Sequence, residues 1–207
     1  MCFGYSRPAD FCIIESIECD LRGTGMNAVD KFEQFEWLTH GITAKSPNFE
    51  PQARSTGEKP LNYEDRLGAI ASMETQLAKS VTALIVFDGK CESDYEYVRN
   101  HLVKIMLVNA KDGKKREPEH ITMNHLAYLI ARMVIDFSLN PELEGNFTAQ
   151  GRLYYAGINS MQMTTNVYRL TWKSYEDLMS LALESAIDEA SNAIKKYKKN
   201  TYKEMQT

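Results

Sequence analysis

Gly157 constrains this chain more than any other residue. It separates Arg152-Leu153-Tyr154-Tyr155-Ala156, which reads as a short helix, from a long helical pattern that begins at Thr164 or Thr165. A glycine in the turn of a helix-turn-helix lets the second helix cross the first at a steep angle. Thr148, ahead of the short segment, offers the side-chain oxygen that opens one. Two helices joined across a small residue, with Ile158 placed to plug the crevice between them, have the grammar of a helix-turn-helix. The linking stretch Asn159 to Met163 is longer than the usual turn of about three or four residues.

Helical periodicity over the second segment projects Asn166, Arg169 and Lys173 on one side and turns Val167, Leu170, Leu178 and Leu181 inward. Such a division suits nucleic acid. Arg matches the guanine edge, Asn matches adenine, and Lys and Tyr meet phosphates. Arg152, Asn166, Tyr168, Arg169 and Lys173 are therefore the candidate nucleic-acid contacts, with Tyr168 and Trp172 in packing or backbone roles. Packing alone accounts for the stretch equally well.

Net charge tests that expectation. The chain is −4 overall, whereas a phosphate-binding surface is usually basic. From Gln150 onward there are eight basic and six acidic residues, so that part is +2 and the remainder −6. An acidic body with a mildly basic tail fits a protein that meets DNA and a protein partner. Lysines at the end of a terminal helix also simply oppose its dipole.

With 207 residues, 43% hydrophobic and 25% charged, the chain can bury a real core as one domain or two small ones. Its apolar runs, Val81 to Phe87 and Leu126 to Val134, fall well short of the roughly 20 residues that cross a bilayer, so no membrane is expected. The first residues lack the apolar centre of a secretion signal. The cysteines, Cys2, Cys12, Cys19 and Cys91, have no disulfide-framework spacing. A cytoplasmic location is the expectation.

Residues 1–25 read as an accessory segment ending in the break Arg22-Gly23-Thr24-Gly25, with Met26 as an internal start. Residues 26–118 form a helical body. Its elements are a helix from Asn27 to Leu38 anchored by Trp37, a proline-broken linker from His40 to Asn62, and a helix capped by Asn62. Ser80 to Phe87 is β-rich in composition but flanked by helical patterns, and is read as helix. Asp88-Gly89-Lys90 is a turn, Ser93 caps the helix that follows, and Lys111 to Pro118 is a charged loop. Residues 119–207 form the C-terminal region, opened by a strongly apolar helix over Ile121 to Ser138 that Asn140-Pro141 stops. The terminal helix, with Leu178, Ile187, Ala190 and Ile194, packs on its own domain or forms a dimer seam, the first being preferred because alanine-rich faces make weak coiled coils, and Lys195 to Lys203 fray or follow a phosphate backbone.

No catalytic pattern stands out. His120 and His125 are five apart and diverge around a helix, so they do not make the paired ligands of a zinc helix. Cys12 and Cys19 supply two ligands at most. Cys2 has no supporting nucleophile pattern, and neither a phosphate-binding loop nor a Gly-x-Ser-x-Gly elbow occurs. The expectation is no enzyme, no metal and no cofactor.

Gly157-Ile158, Thr165, Val167-Tyr168, Arg169, Trp172 and Tyr175-Glu176-Asp177-Leu178 together resemble phage-encoded helix-turn-helix regulators. More loosely, they resemble phage late-gene antitermination proteins of the Q type. The resemblance spans Leu61 to Ile187 in outline. It implies binding to a phage DNA element and engagement of the host RNA polymerase. Some such antiterminators hold a cysteine-ligated zinc, and this chain has no Cys-x-x-Cys pair to match that subtype.

The expected protein is all-α: a helical body, a C-terminal helix-turn-helix-like unit and a long terminal helix. Its expected function is DNA binding in transcription control. The rival is a non-catalytic adaptor or inhibitor that binds another protein through its acidic body.

Overall fold

Threonines open four of the helices. Thr75, Thr122, Thr148 and Thr164 each take extended backbone, and each hydroxyl accepts the amide three residues on, from Ala78, His125, Gly151 and Val167 respectively. A cap of this kind contributes about 1 kcal/mol by satisfying an amide that has no partner inside the helix. The computed structural model describes residues 28–42, 63–145 and 147–206, and every regular element among them is helical.

The elements are α1 (Ala28–Ile42), α2 (Tyr63–Ala71), α3 (Gln76–Val86), α4 (Glu92–Asp112), α5 (Met123–Leu139), the single turn α6 (Pro141–Glu144), α7 (Ala149–Ala156) and α8 (Thr165–Val167). A π-helical segment, Tyr168–Trp172, then leads without a break into α9 (Lys173–Gln206). The accessory segment 1–25, its cysteines, Asn62 and most of the proline-rich linker lie outside the described residues.

The β-rich run in α3 is helical, as read from the sequence. Ala78, Ser80, Val81, Thr82, Leu84 and Val86 are all buried, so the helix is enclosed nearly all round and shows no clean amphipathic stripe. The hydroxyl of buried Thr82 donates to the Ala78 carbonyl at 2.8 Å, which satisfies a polar group that would otherwise oppose burial.

Helix α9 is the spine. It packs against α1, α2, α3, α4 and α5, with Met179, Leu183, Ala186, Ile187, Ala190 and Ile194 turned into the core. Each large apolar side chain enclosed this way stabilises the fold by roughly 1.5–3 kcal/mol. One buried cluster runs from Phe35 to Ile194 and draws on residues from both 26–118 and 119–207. Gly68 lets α2 close on the spine, because a β-carbon there would collide with the Tyr197 hydroxyl.

Three local expectations change. Trp37 is half-buried, while its neighbours Phe35 and Leu38 fill the core. Cys91, not Ser93, stands at the start of α4, without a side-chain cap, and Glu92 and Asp94 oppose the dipole in the first turn. The lysine-rich end does not fray, since α9 stays helical through Lys195 and Lys203 to Gln206.

Candidate interaction surface

Helix α7 ends as its sequence dictates. Gly157 takes φ +85°, its amide donates to the Tyr154 carbonyl at 3.0 Å, and the Ile158 amide reaches back to the Leu153 carbonyl at 2.9 Å. This is a Schellman closure, in which two of the carbonyls left over at a helix end are satisfied. Ile158 is 3% exposed and fills the crevice as expected. Arg132 on α5 adds a charged donor to the same end, with Nη2 3.3 Å from the Tyr155 carbonyl and 3.2 Å from that of Ala156.

Aromatic contacts dock α7 on α5. Phe137, Phe147 and Tyr155 form a mutual trio with ring centroids 5.0 to 5.4 Å apart. The Tyr155 hydroxyl donates to Asp136 at 3.1 Å. Burial raises the Asp136 pKa, and the Tyr155 hydrogen bond and the Arg132 charge pull it partway back.

The centre of the unit is Glu176, 1% exposed on the inner face of α9. Its Oε1 accepts from Arg152 Nη1 at 2.6 Å and from Lys173 Nζ at 2.8 Å, and its Oε2 accepts from the Tyr168 hydroxyl. A carboxylate enclosed this deeply requires paired charge and filled lone pairs. Arg152 also lies over the Phe137 ring, with Cζ 5.3 Å from the centroid. Lys173 bridges onward to Asp177 at 2.9 Å.

The five candidate nucleic-acid contacts therefore divide. Arg152, Tyr168 and Lys173 converge on Glu176. Tyr168 is 1% exposed, and its ring is a core element rather than a surface contact. Asn166 and Arg169 stand exposed, and no acid pairs with Arg169 among the described residues.

The inward stripe expected for the second helix is also displaced. Leu170 is 86% exposed, Val167 47% and Leu178 38%, while Tyr168, Trp172, Tyr175, Met179 and Leu183 point inward. The true stripe lies about 100° around the helix from the expected one, one residue along the chain. Aromatic bulk decides the choice. Trp172 and Tyr175 pack with centroids 5.8 Å apart and enclose more apolar surface than the aliphatic residues beside them. The π turn accommodates Tyr168 and Trp172 at the entry to α9, and such turns recur at functional positions in helices.

Three large apolar side chains of the unit are left exposed. Tyr154 on α7 is 85% exposed, Met161 in the turn 83%, and Leu170 on the π segment 86%. The other exposed large apolar side chains among the described residues, such as Val167, Val108 and Tyr202, do not pass 47%. Of the three cations between Thr148 and Asp177, Arg152 and Lys173 are held by Glu176 and Asp177, so Arg169 is the cation this stretch keeps exposed.

Among the described residues, His120 and His125 are exposed, no three potential metal ligands come together, and no helix is long and apolar enough to cross a membrane. No family model, no curated protein and no solved structure matches this chain.

Proposed function

We propose that the chain is a non-catalytic protein-binding module, an adaptor or inhibitor, whose contact surface is the outer side of the α7–turn–π unit. The single observation carrying this reading is that Tyr154, Met161 and Leu170, the most exposed large apolar side chains among the described residues, fall within one short stretch. Exposed apolar side chains gathered on a rigid support are typical of protein contacts, and Tyr with Arg is the composition that dominates their energetics. The Glu176 cluster supplies the rigidity. The reading moves the contact from the acidic body expected from the sequence to the C-terminal unit, and keeps a cytoplasmic site of action.

The experiment compares partners captured by the tagged full chain with those captured by Leu170→Asp/Met161→Ser. Proteins retained by the parent, lost by this variant and kept by a Lys195→Ala/Lys196→Ala control support the proposal. Identical capture by all three chains removes it.

A second reading keeps the resemblance to phage regulators: a helix-turn-helix DNA-binding protein in antitermination, acting with RNA polymerase. Asn166 and Arg169 support it, since both stand exposed in the first turns after the Thr164 cap. Base-edge recognition needs side chains in that position. The neutralisation of Arg152 and Lys173 weighs against it, because DNA affinity grows with the number of phosphates that cations meet.

A further inference from the structure

About 30 Å along α9 from Lys173, the spine carries a second concentration of charge. Residues 190–203 hold five lysines and no acid, so this stretch is +5 while the rest of the chain is −9. At about 100° per residue, Lys195, Lys196, Lys199, Tyr202 and Lys203 fall within an arc of about 120° on one side of the helix. Ile187, Ala190 and Ile194, on the other side, are buried in the core where α9 packs against α1 and α2. The lysine side faces outward. All five of its residues are exposed, and Lys195, Lys196 and Lys199 have no ion pair among the described residues.

The helix dipole does not account for this stripe. A cation gains from the negative end of a helix within the last turn, and α9 runs to Gln206 with Lys203 as the basic residue of that turn. Lys195, Lys196 and Lys199 lie about two turns or more before the end. Lys199 stands four and three residues from the other two, a spacing at which like charges repel. Packing keeps these turns helical all the same. Tyr197 occupies the room that Gly68 leaves on α2, and Lys198 Nζ lies 5.9 Å from the centre of the Trp37 ring on α1. The repulsion on the outer side is relieved by an anion from outside the chain.

The make-up of the stripe selects among anions. An Arg fork pairs with an individual carboxylate or phosphate, and none of these cations is Arg; lysines are hydrated point charges suited to a diffuse negative field. Because α1 and α2 hold the inner side of the same turns, the helix cannot enter a DNA groove and meets a polyanion only along its length. The −9 of the remaining chain disfavours a ligand that wraps the molecule, and turns the stripe toward the anion. A flat anionic surface meets all the ammoniums at once, with Tyr202 among the headgroups, where its ring and hydroxyl are both accommodated.

We infer that the outer side of α9 over residues 195–203 is a docking surface for an anionic membrane, on which the helix lies without crossing it. Its apolar side is engaged in the core, so the attachment is by charge and yields to salt. The stripe is distinct from the α7–turn–π unit and does not rest on the function proposed above.

The test is co-sedimentation of the full chain with vesicles of phosphatidylcholine alone, and of phosphatidylcholine and phosphatidylglycerol in equal parts, at low and at moderate sodium chloride. The expected result is pelleting with the anionic vesicles alone, reduced by salt. Lys195→Gln/Lys199→Gln should lower the partition by about tenfold or more. Lys111→Gln/Lys114→Gln, which removes equal charge from the exposed loop after α4, should leave it near that of the parent. Glutamine is a good helix former, and circular dichroism verifies that both variants keep the parent's helix content. No pelleting with the anionic vesicles overturns the proposal. So does binding that the stripe variant leaves unchanged, or that the two variants weaken equally. Stripe-dependent binding of mixed-sequence duplex DNA, at a salt concentration that releases the chain from the vesicles, assigns the stripe to nucleic acid and overturns the proposal as well.

Discussion

Arg152 on α7 and Glu176 on α9 meet with Nη1 2.6 Å from Oε1, and this contact ties the short helix before the turn to the long one after it. The pair is enclosed, with the side chains 14% and 2% exposed. Removing one partner of such a pair strands a charge in the interior, at a cost of roughly 3–5 kcal/mol. Glu176→Ala should lose that much in urea unfolding, since it also strands the Tyr168 hydroxyl. Lys173→Ala should lose under about 1 kcal/mol, because its head is half-exposed and has Asp177 as a second partner. Equal losses for the two variants would show that Glu176 is not the centre of the cluster.

Gly157 should be hard to replace. At φ +85° an L side chain is strained, and Gly157→Ala is expected to cost about 1–2 kcal/mol in the same unfolding experiment. Gly157→Asn should recover part of that loss, because Asn tolerates the left-handed region. An alanine variant as stable as the parent would contradict the closure described for α7.

Much of this unit was legible in the sequence because its signals are local. Thr148, Gly157, Ile158 and Thr164 act through bonds spanning a few residues, and each occupies the role its neighbours dictate. The side of the second helix that faces inward was not legible in the same way. Val167, Leu170, Leu178 and Leu181 and the stripe Tyr168, Trp172, Tyr175, Met179 are both helically spaced, and only the tertiary fit of the aromatics chooses between them. A signal was present: Glu176 falls within the aromatic stripe, and a carboxylate at a core position implies buried cations to match it. The assignment of Arg152 and Lys173 to nucleic acid missed that constraint.

The start of α3 should depend on a residue of α9. Glu189 accepts the Glu74 and Thr75 amides at 3.1 and 2.9 Å and the Thr75 hydroxyl at 2.8 Å, while that hydroxyl also caps the Ala78 amide. Thr75→Ala is expected to cost about 1 kcal/mol and Glu189→Ala a similar amount. The double variant should cost less than the sum by about 0.5 kcal/mol or more. Strict additivity would show that the two residues do not act together.

Asp136 should give stability a pH dependence of uncommon sign. Its folded pKa is raised above the ordinary value of 3.8, chiefly by burial. The native state therefore holds this proton more tightly than the unfolded chain does. Its contribution falls as pH rises from about the unfolded value through the raised folded one, and is constant beyond. Stability of the parent relative to Asp136→Asn, followed by thermal unfolding as pH is raised from below the ordinary carboxylate value, should decline and then level off. A relative stability that rises with pH would contradict the assignment.

The central claim is that the C-terminal unit, with two of its three cations held by Glu176, presents an apolar face to a protein rather than a cationic face to DNA. Fluorescence titration of the full chain and of Arg169→Ala with mixed-sequence duplex DNA, at low and at moderate salt, tests it most directly. The account predicts binding that is weak at low salt, absent at moderate salt and little changed by the substitution. Tight binding that falls steeply with salt and is lost in Arg169→Ala would contradict it.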